Sequence, residues 1–141
     1  MPDYLLDACA MLALFNDEEG AELVSNLLDR AKYGEITLGI NAVNLIEVYY
    51  DRIRVNGADQ AETIIREIYK TFPVSIIETL DTAIVRDAAR LKARGKMSFA
   101  DTILVATARC TGATIVTCDH VELDPVEQQE HIPFLWIRSK F

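Results

Sequence analysis

Short apolar runs recur along this chain, with longer segments of helical period between them, and that alternation leaves few folds open. Tyr4-Leu5-Leu6, the stretch from Ile36 to Ile40, Val74-Ser75-Ile76-Ile77, the stretch from Ala113 to Cys118 and Phe134-Leu135-Trp136-Ile137 each have the length and apolar character of a buried strand. Between them lie amphipathic segments. Residues 16–33 place Leu23, Leu27, Leu28 and Ala31 on one helical face, with Gly34 at the stop. Asn41 or Asn44 can cap a helix running to about Val55, and Gly57 breaks it from the next, whose stripe is Ala61, Ile64, Ile65, Ile68, Tyr69 and Phe72. Pro73 ends that helix; another spans Asp81 to Arg94 up to Gly95, and Ser98 opens one more through Cys110, closed by Gly112. Strands separated by helices predict a mostly parallel sheet of about five strands covered on both faces, a three-layer α/β/α domain.

A chain of 141 residues that is 50% hydrophobic builds one core, so residues 1–141 are expected to form a single domain. No apolar run reaches the roughly 20 residues that span a bilayer. Asp3 and Asp7 occupy the region where a signal peptide carries basic residues, and a cytoplasmic location is expected. Cys9, Cys110 and Cys118 are odd in number and lack C-x-x-C spacing, so they are expected to be reduced thiols. The formal net charge of -8 argues against a protein that coats nucleic acid through a broad basic surface. It does not argue against a nuclease. Arg86, Arg90, Lys92, Arg94 and Lys96 lie in one short stretch that runs into Asp101, and such a stretch is more often the solvated face of a helix than a binding patch.

Four acids stand beside apolar runs. Asp7 and Asp119 close strands, at the carboxyl edge where open α/β sheets bind ligands. Glu47 and Asp101 fall in the first turns of helices that can lean over the same edge. Two unit charges ~4 Å apart repel by about 4 kcal/mol at an effective dielectric of 20, so converging carboxylates raise one another's pKa unless a cation joins them. A hard divalent metal meets that need, and oxygen-only ligands suit magnesium or manganese rather than zinc. Each acid also has a structural explanation. Ser98-x-x-Asp101 and Asn44-x-x-Glu47 match capping boxes, and Asp is common in the turn after a strand. Their joint placement favours a site. A cysteine nucleophile is disfavoured because the only histidines, His120 and His131, lie late with no orienting third group, and Cys118-x-His120 is too sparse for zinc. A phosphoacceptor domain would need its middle acid at a strand end, whereas Glu47 lies in a helix, and no Lys falls between Lys96 and Lys140.

Tyr4-Leu5-Leu6-Asp7-Ala8-Cys9-Ala10, Asn44-Leu45-Ile46-Glu47-Val48, Ser98-Phe99-Ala100-Asp101-Thr102 with Ala106-Thr107-Ala108, and Thr114-Ile115-Val116-Thr117-Cys118-Asp119 follow one another in an order and spacing that resembles the PIN domain, and within it the VapC-type toxins of toxin–antitoxin pairs. The resemblance implies a PIN-like fold and a metal-dependent endoribonuclease that hydrolyses RNA with a metal-activated water, leaving a 5′-phosphate and a 3′-hydroxyl. It implies Asp7, Glu47, Asp101 and Asp119 as the catalytic acids around one or two Mg2+ or Mn2+ ions. Asp7 and Asp101 are the expected direct ligands; Glu47 and Asp119 bind a second ion or orient the water. It also implies a VapB-like antitoxin as partner and a homodimer formed through apolar positions on the early helices. The alternative is an inactive interaction module whose acidic pocket takes an Arg from a partner.

The chain departs from the family pattern at two places. Cys9 stands where Ser, Thr or Asn is usual, and a thiol is a poorer hydrogen-bond donor and open to oxidation. After Asp119 the chain reads His120-Val121-Glu122-Leu123-Asp124, which makes Glu122 and Asp124 candidates for an additional acid. Tyr49, Tyr50, Arg52 and Phe99 are the candidates for stacking on splayed RNA bases, with core or surface roles as the competing explanation.

Overall fold

The computed structural model describes residues 1–140. In chain order the elements are β1 (Tyr4–Leu6), α1 (Ala8–Phe15), α2 (Ala21–Lys32), β2 (Leu38–Asn41), α3 (Ala42–Asn56), α4 (Ala58–Lys70), β3 (Val74–Ile77), α5 (Thr82–Arg94), α6 (Phe99–Thr111), β4 (Thr114–Thr117), α7 (His120–Glu130) and β5 (Phe134–Trp136). The strands form one sheet in the order β3-β2-β1-β4-β5, and every pairing is parallel. No helix among the described residues is long and apolar enough to cross a membrane.

Alternation along the strands builds a core on each face. Leu6 and Val116 are register partners that pack with Ile40, Met11, Val24, Leu27, Val48 and Ile68. Their neighbours Leu5 and Ile115, also partners, point the other way and pack with Ile84, Leu91, Leu104, Val105, Leu123 and Val126. Helices α1 to α4 thus cover one face and α5 to α7 the other. The chain leaves β1 for β2 on one side and later returns as β4 on the other. This reversal opens a crevice beyond the carboxyl ends of β1 and β4.

Most local signals act as the sequence predicts. Asn41, rather than Asn44, caps α3 by accepting from the Val43 N–H at 2.9 Å, and Gly57 separates α3 from α4. Asp81 caps α5, Ser98 caps α6, and Gly112, at φ 74°, ends α6. Two helices lack a sequence signature. The segment Ala8-Cys9-Ala10-Met11-Leu12-Ala13-Leu14-Phe15 is apolar all round, so it has no helical stripe. Helix α7 contains Pro125 and few apolar residues. The helix expected over residues 16–33 begins only at Ala21, because Asp17 and Gly20 both have positive φ in the intervening turn.

The thiol expectation is corrected. Cys9 and Cys118 are disulfide-bonded, with Cα atoms 6.0 Å apart across 109 residues, and Cys110 alone is free. Their separation in sequence hid the pairing. The β1–β4 ladder brings the segments that follow Leu6 and Val116 together.

Gly20 has φ 101°, and a Cβ there would lie 2.6 Å from the Ile137 carbonyl oxygen, a backbone atom that cannot rotate away. Gly34 has φ 78° with nothing within 4 Å. Gly34→Ala should therefore cost about 1–2 kcal/mol from backbone strain alone, and Gly20→Ala clearly more. Urea unfolding midpoints of the two variants check that order.

Candidate active site

Asp7 follows β1 directly and caps α1. Its Oδ1 accepts the Ala10 N–H at 2.8 Å and its Oδ2 accepts the Thr117 hydroxyl. Thr117 Oγ in turn accepts the Asp119 N–H at 3.1 Å, so one buried hydroxyl ties together the two acids at adjacent strand ends. Asp119 caps α7 by accepting from the Glu122 N–H at 3.3 Å. Asp101 lies in the first turn of α6, where its N–H donates to Ser98 Oγ at 3.2 Å. Glu47, on α3, accepts from Asn44 Nδ2 at 2.9 Å. Asn44 is itself buried, and its Oδ1 has no hydrogen-bond partner.

Carboxylate oxygens of Asp101, Asp119 and Glu122 lie within 4.8 Å of one another. Asp7 lies close enough to Asp119 and Asp101, and to Glu47, for their charges to act on one another. Burial pushes Asp7 up to about 7; the Thr117 and Ala10 hydrogen bonds pull the other way, and the charges of Asp119 and Glu47 add to the rise. Asp101 is raised too, first by burial, then by its hydrogen bond and charge repulsion with Glu122. Of the four acids singled out from sequence, Asp101 and Asp119 cluster with Glu122, Asp7 acts on both through its charge, and Glu47 acts on Asp7. Asp124 does not join them, because it pairs with His120 Nδ1 at 2.7 Å and with Lys140 Nζ at 3.1 Å. The donor set is all oxygen and partly buried, and its members repel one another. Those features fit a hard divalent cation.

The capping explanation holds for the segment of Asp101, where Ser98 caps the helix, but not for Glu47, since Asn44 lies inside α3 and holds Glu47 by a side-chain hydrogen bond. Sequence reasoning gave Thr117 no role and Glu122 only a secondary one. The spacing Asp119-x-x-Glu122 was the available signal. The basic stretch is largely committed elsewhere: Arg90 and Arg94 join Arg109 on the buried Glu130, and Arg90 and Arg109 also hold Asp87. Arg86 and Lys96 make no ion pair among the described residues. Among the base-stacking candidates, Arg52 is buried and paired with Asp51, Tyr49 donates to Glu62 at 2.6 Å, Tyr50 sits against Arg54, and Phe99 is 68% exposed.

The PIN domain family model matches residues 4–124. No curated protein matches the chain significantly in sequence. Among solved structures the chain is similar to DNA-bound VapBC from Salmonella typhimurium (16% identity, TM-score 0.72, covering 98% of this chain and 100% of that one). It is similar also to VapBC-1 from nontypeable Haemophilus influenzae (16%, 0.71, 95% and 97%) and to a toxin–antitoxin complex from Klebsiella pneumoniae (14%, 0.66, 96% and 98%). At such identities the likeness is one of fold.

The Asp7 shift sets a pH dependence. The folded chain holds the Asp7 proton up to about pH 7, whereas the unfolded chain releases it near the ordinary aspartate value of 3.8. The folded state therefore binds more protons in that window, and the contribution of Asp7 to stability is full below it and lost as pH rises through 7. In chelator, Asp7→Asn should unfold at higher urea than wild type at pH 8 and lose that advantage toward pH 4. The difference is at most roughly 4 kcal/mol, at 1.36 kcal/mol per pKa unit.

Proposed function

Because the chain belongs to the PIN domain family, we propose that it is a metal-dependent endoribonuclease, the toxin of a VapC-type toxin–antitoxin pair, acting in the cytoplasm as a single domain. The observation that supports this reading is the clustering of Asp101, Asp119 and Glu122, with the buried Asp7 acting on Asp119 and Asp101 through its charge and Glu47 acting on Asp7. Asp101, Asp119 and Glu122 are the group best placed to hold Mg2+ or Mn2+, with Asp7 as the buried ligand beneath them. When bound, such an ion lowers the pKa of a water and offsets charge on a phosphodiester.

The chain's own residues do the rest. Thr117 fixes Asp7 and Asp119 relative to one another, and Ser98 fixes the first turn that carries Asp101. Glu47, partly exposed and held by Asn44, is positioned to accept a proton from the attacking water. In-line attack at phosphorus expels the 3′ oxygen and leaves a 5′-phosphate. A chain of net charge -8 repels RNA overall, so the substrate needs local cations. A groove of about 470 Å³ is lined by Arg94 and Lys96 together with Glu122 and Glu130; Arg94 pairs with Glu130, which leaves Lys96 as the cation there without an ion pair among the described residues.

The fold of the VapBC complexes supports an antitoxin as partner. A largely apolar cavity of about 660 Å³ between α3 and α4, lined by Leu45, Ile46, Tyr49, Ile65 and Tyr69, is suited to one of its segments. Ile46, Tyr50 and Ile53 form an exposed stripe on α3 at helical spacing, which suits a homodimer.

With manganese or magnesium, purified protein should fragment cellular RNA, and a chelator should stop it. Asp7→Asn and Asp101→Asn should each slow cleavage by about 100-fold or more, or roughly 2.7 kcal/mol. Intact RNA under both metals, or variants that cut like wild type, would leave only the interaction-module reading. Gel or sequencing analysis of the fragments provides the readout.

A further inference from the structure

We propose that Cys9 and Cys118 form a reversible thiol–disulfide site, taking low-molecular-weight thiols and disulfides, whose oxidation state sets the divalent-metal affinity of the acidic cluster. The proposal rests on the metal-dependent site described under the proposed function. Its basis is position. Cys9 lies in the first turn of α1, two residues after Asp7, and Cys118 lies between Thr117 and Asp119. The bridge therefore spans the two segments that bear the strand-end acids, with Cα atoms 6.0 Å apart.

Those segments are already joined without it. Leu6 pairs with Val116, the Asp7 N–H donates to the Val116 carbonyl at 3.2 Å, and the Thr117 hydroxyl donates to Asp7. The bridge adds a covalent tie beyond these bonds, on the side of the site. Octahedral Mg2+ demands oxygens at about 2.0–2.1 Å in near-ideal geometry, so ligands from both segments must be free to close on the ion. Each Asp7 oxygen accepts one hydrogen bond, one from Ala10 on α1 and one from Thr117 at the end of β4, so Asp7 is held by both bridged segments, and a shift of α1 against the end of β4 eases its turning toward the cluster. An intact bridge resists that shift; two thiols permit it. The reduced form is the form competent for metal.

The exchange balances with a small thiol as reductant. Its thiolate attacks the sulfur of Cys9, the less buried partner, breaking the protein S–S bond and forming a mixed disulfide, and Cys118 leaves and takes a proton. A second small thiol attacks the mixed disulfide, frees Cys9 as a thiol and departs as the symmetrical small disulfide. Two electrons enter the protein. The reverse reaction with that disulfide restores the bridge.

The test uses the full chain carrying Cys110→Ser, which removes the exposed free thiol. Protein is equilibrated in glutathione buffers of graded redox poise. Alkylation and mass measurement count the free thiols, and titration with Mn2+ followed by the electron-spin signal of the free ion gives the affinity. The expected result is a two-thiol transition accompanied by a rise in Mn2+ affinity of about 10-fold or more on reduction, a scale comparable with loss of outer-shell support at metal sites. A Cys9→Ser, Cys118→Ala double variant should bind Mn2+ with an affinity independent of redox poise. Equal affinity in both states makes the bridge a structural staple and overturns this proposal alone, as does tighter binding by the oxidised form. Absence of Mn2+ binding in every state overturns the metal-dependent nuclease reading and this proposal with it.

Discussion

The parallel pairing of β1 with β4 is the constraint on which the rest of the site depends. It puts Tyr4 beside Thr114, Leu5 beside Ile115 and Leu6 beside Val116, and so delivers Asp7 and Asp119 to neighbouring positions at one edge. With β2 on the far side of β1, the topology reverses at this point, and the crevice that results is floored by strand ends and walled by the first turns of helices. Buried Leu and Val on both faces hold the pairing in register, since a slip of one residue would exchange the two cores.

Packing and chemistry pull against each other there. The core that fixes Asp7 also removes it from water, and burial alone drives its carboxyl toward neutrality. Hydrogen bonds from Thr117 and the Ala10 amide oppose that drift, while the neighbouring acids reinforce it. A divalent ion held there would reverse the balance by making the negative charge favourable. The same region carries the Cys9–Cys118 bridge, so the local backbone that sets the carboxylates is itself under covalent control. Glu130 is buried but met by Arg90, Arg94 and Arg109, which accounts for much of the basic stretch before Asp101.

Much of the architecture is legible in the sequence because its punctuation is local. Pro73, Gly57, Gly95, Gly112, Asn41 and Ser98 act where their own backbone preferences place them. Helix α1 is not legible, since a helix buried on all sides carries no polar face to mark its period. Helix α7 is hidden by its polar composition and Pro125, although Asp119 caps it. In the site, the four acids are readable because each adjoins an apolar run, whereas Thr117 reads only as a strand residue until the fold brings it 110 positions back to Asp7. Glu122 and Asp124 were equivalent on paper. Helix α7 carries both and separates their roles, turning Glu122 to the cluster and Asp124 to His120 and Lys140. The disulfide depends on long-range strand pairing, and spacing rules for cysteines cannot see it.

The central claim is that these carboxylates make one metal site. Anomalous diffraction from crystals of the reduced protein soaked in Mn2+ tests it most directly. The account predicts a manganese peak enclosed by Asp101, Asp119 and Glu122, with Asp7 turned toward it. A cluster without a peak, or manganese bound only at other surface acids, would contradict it.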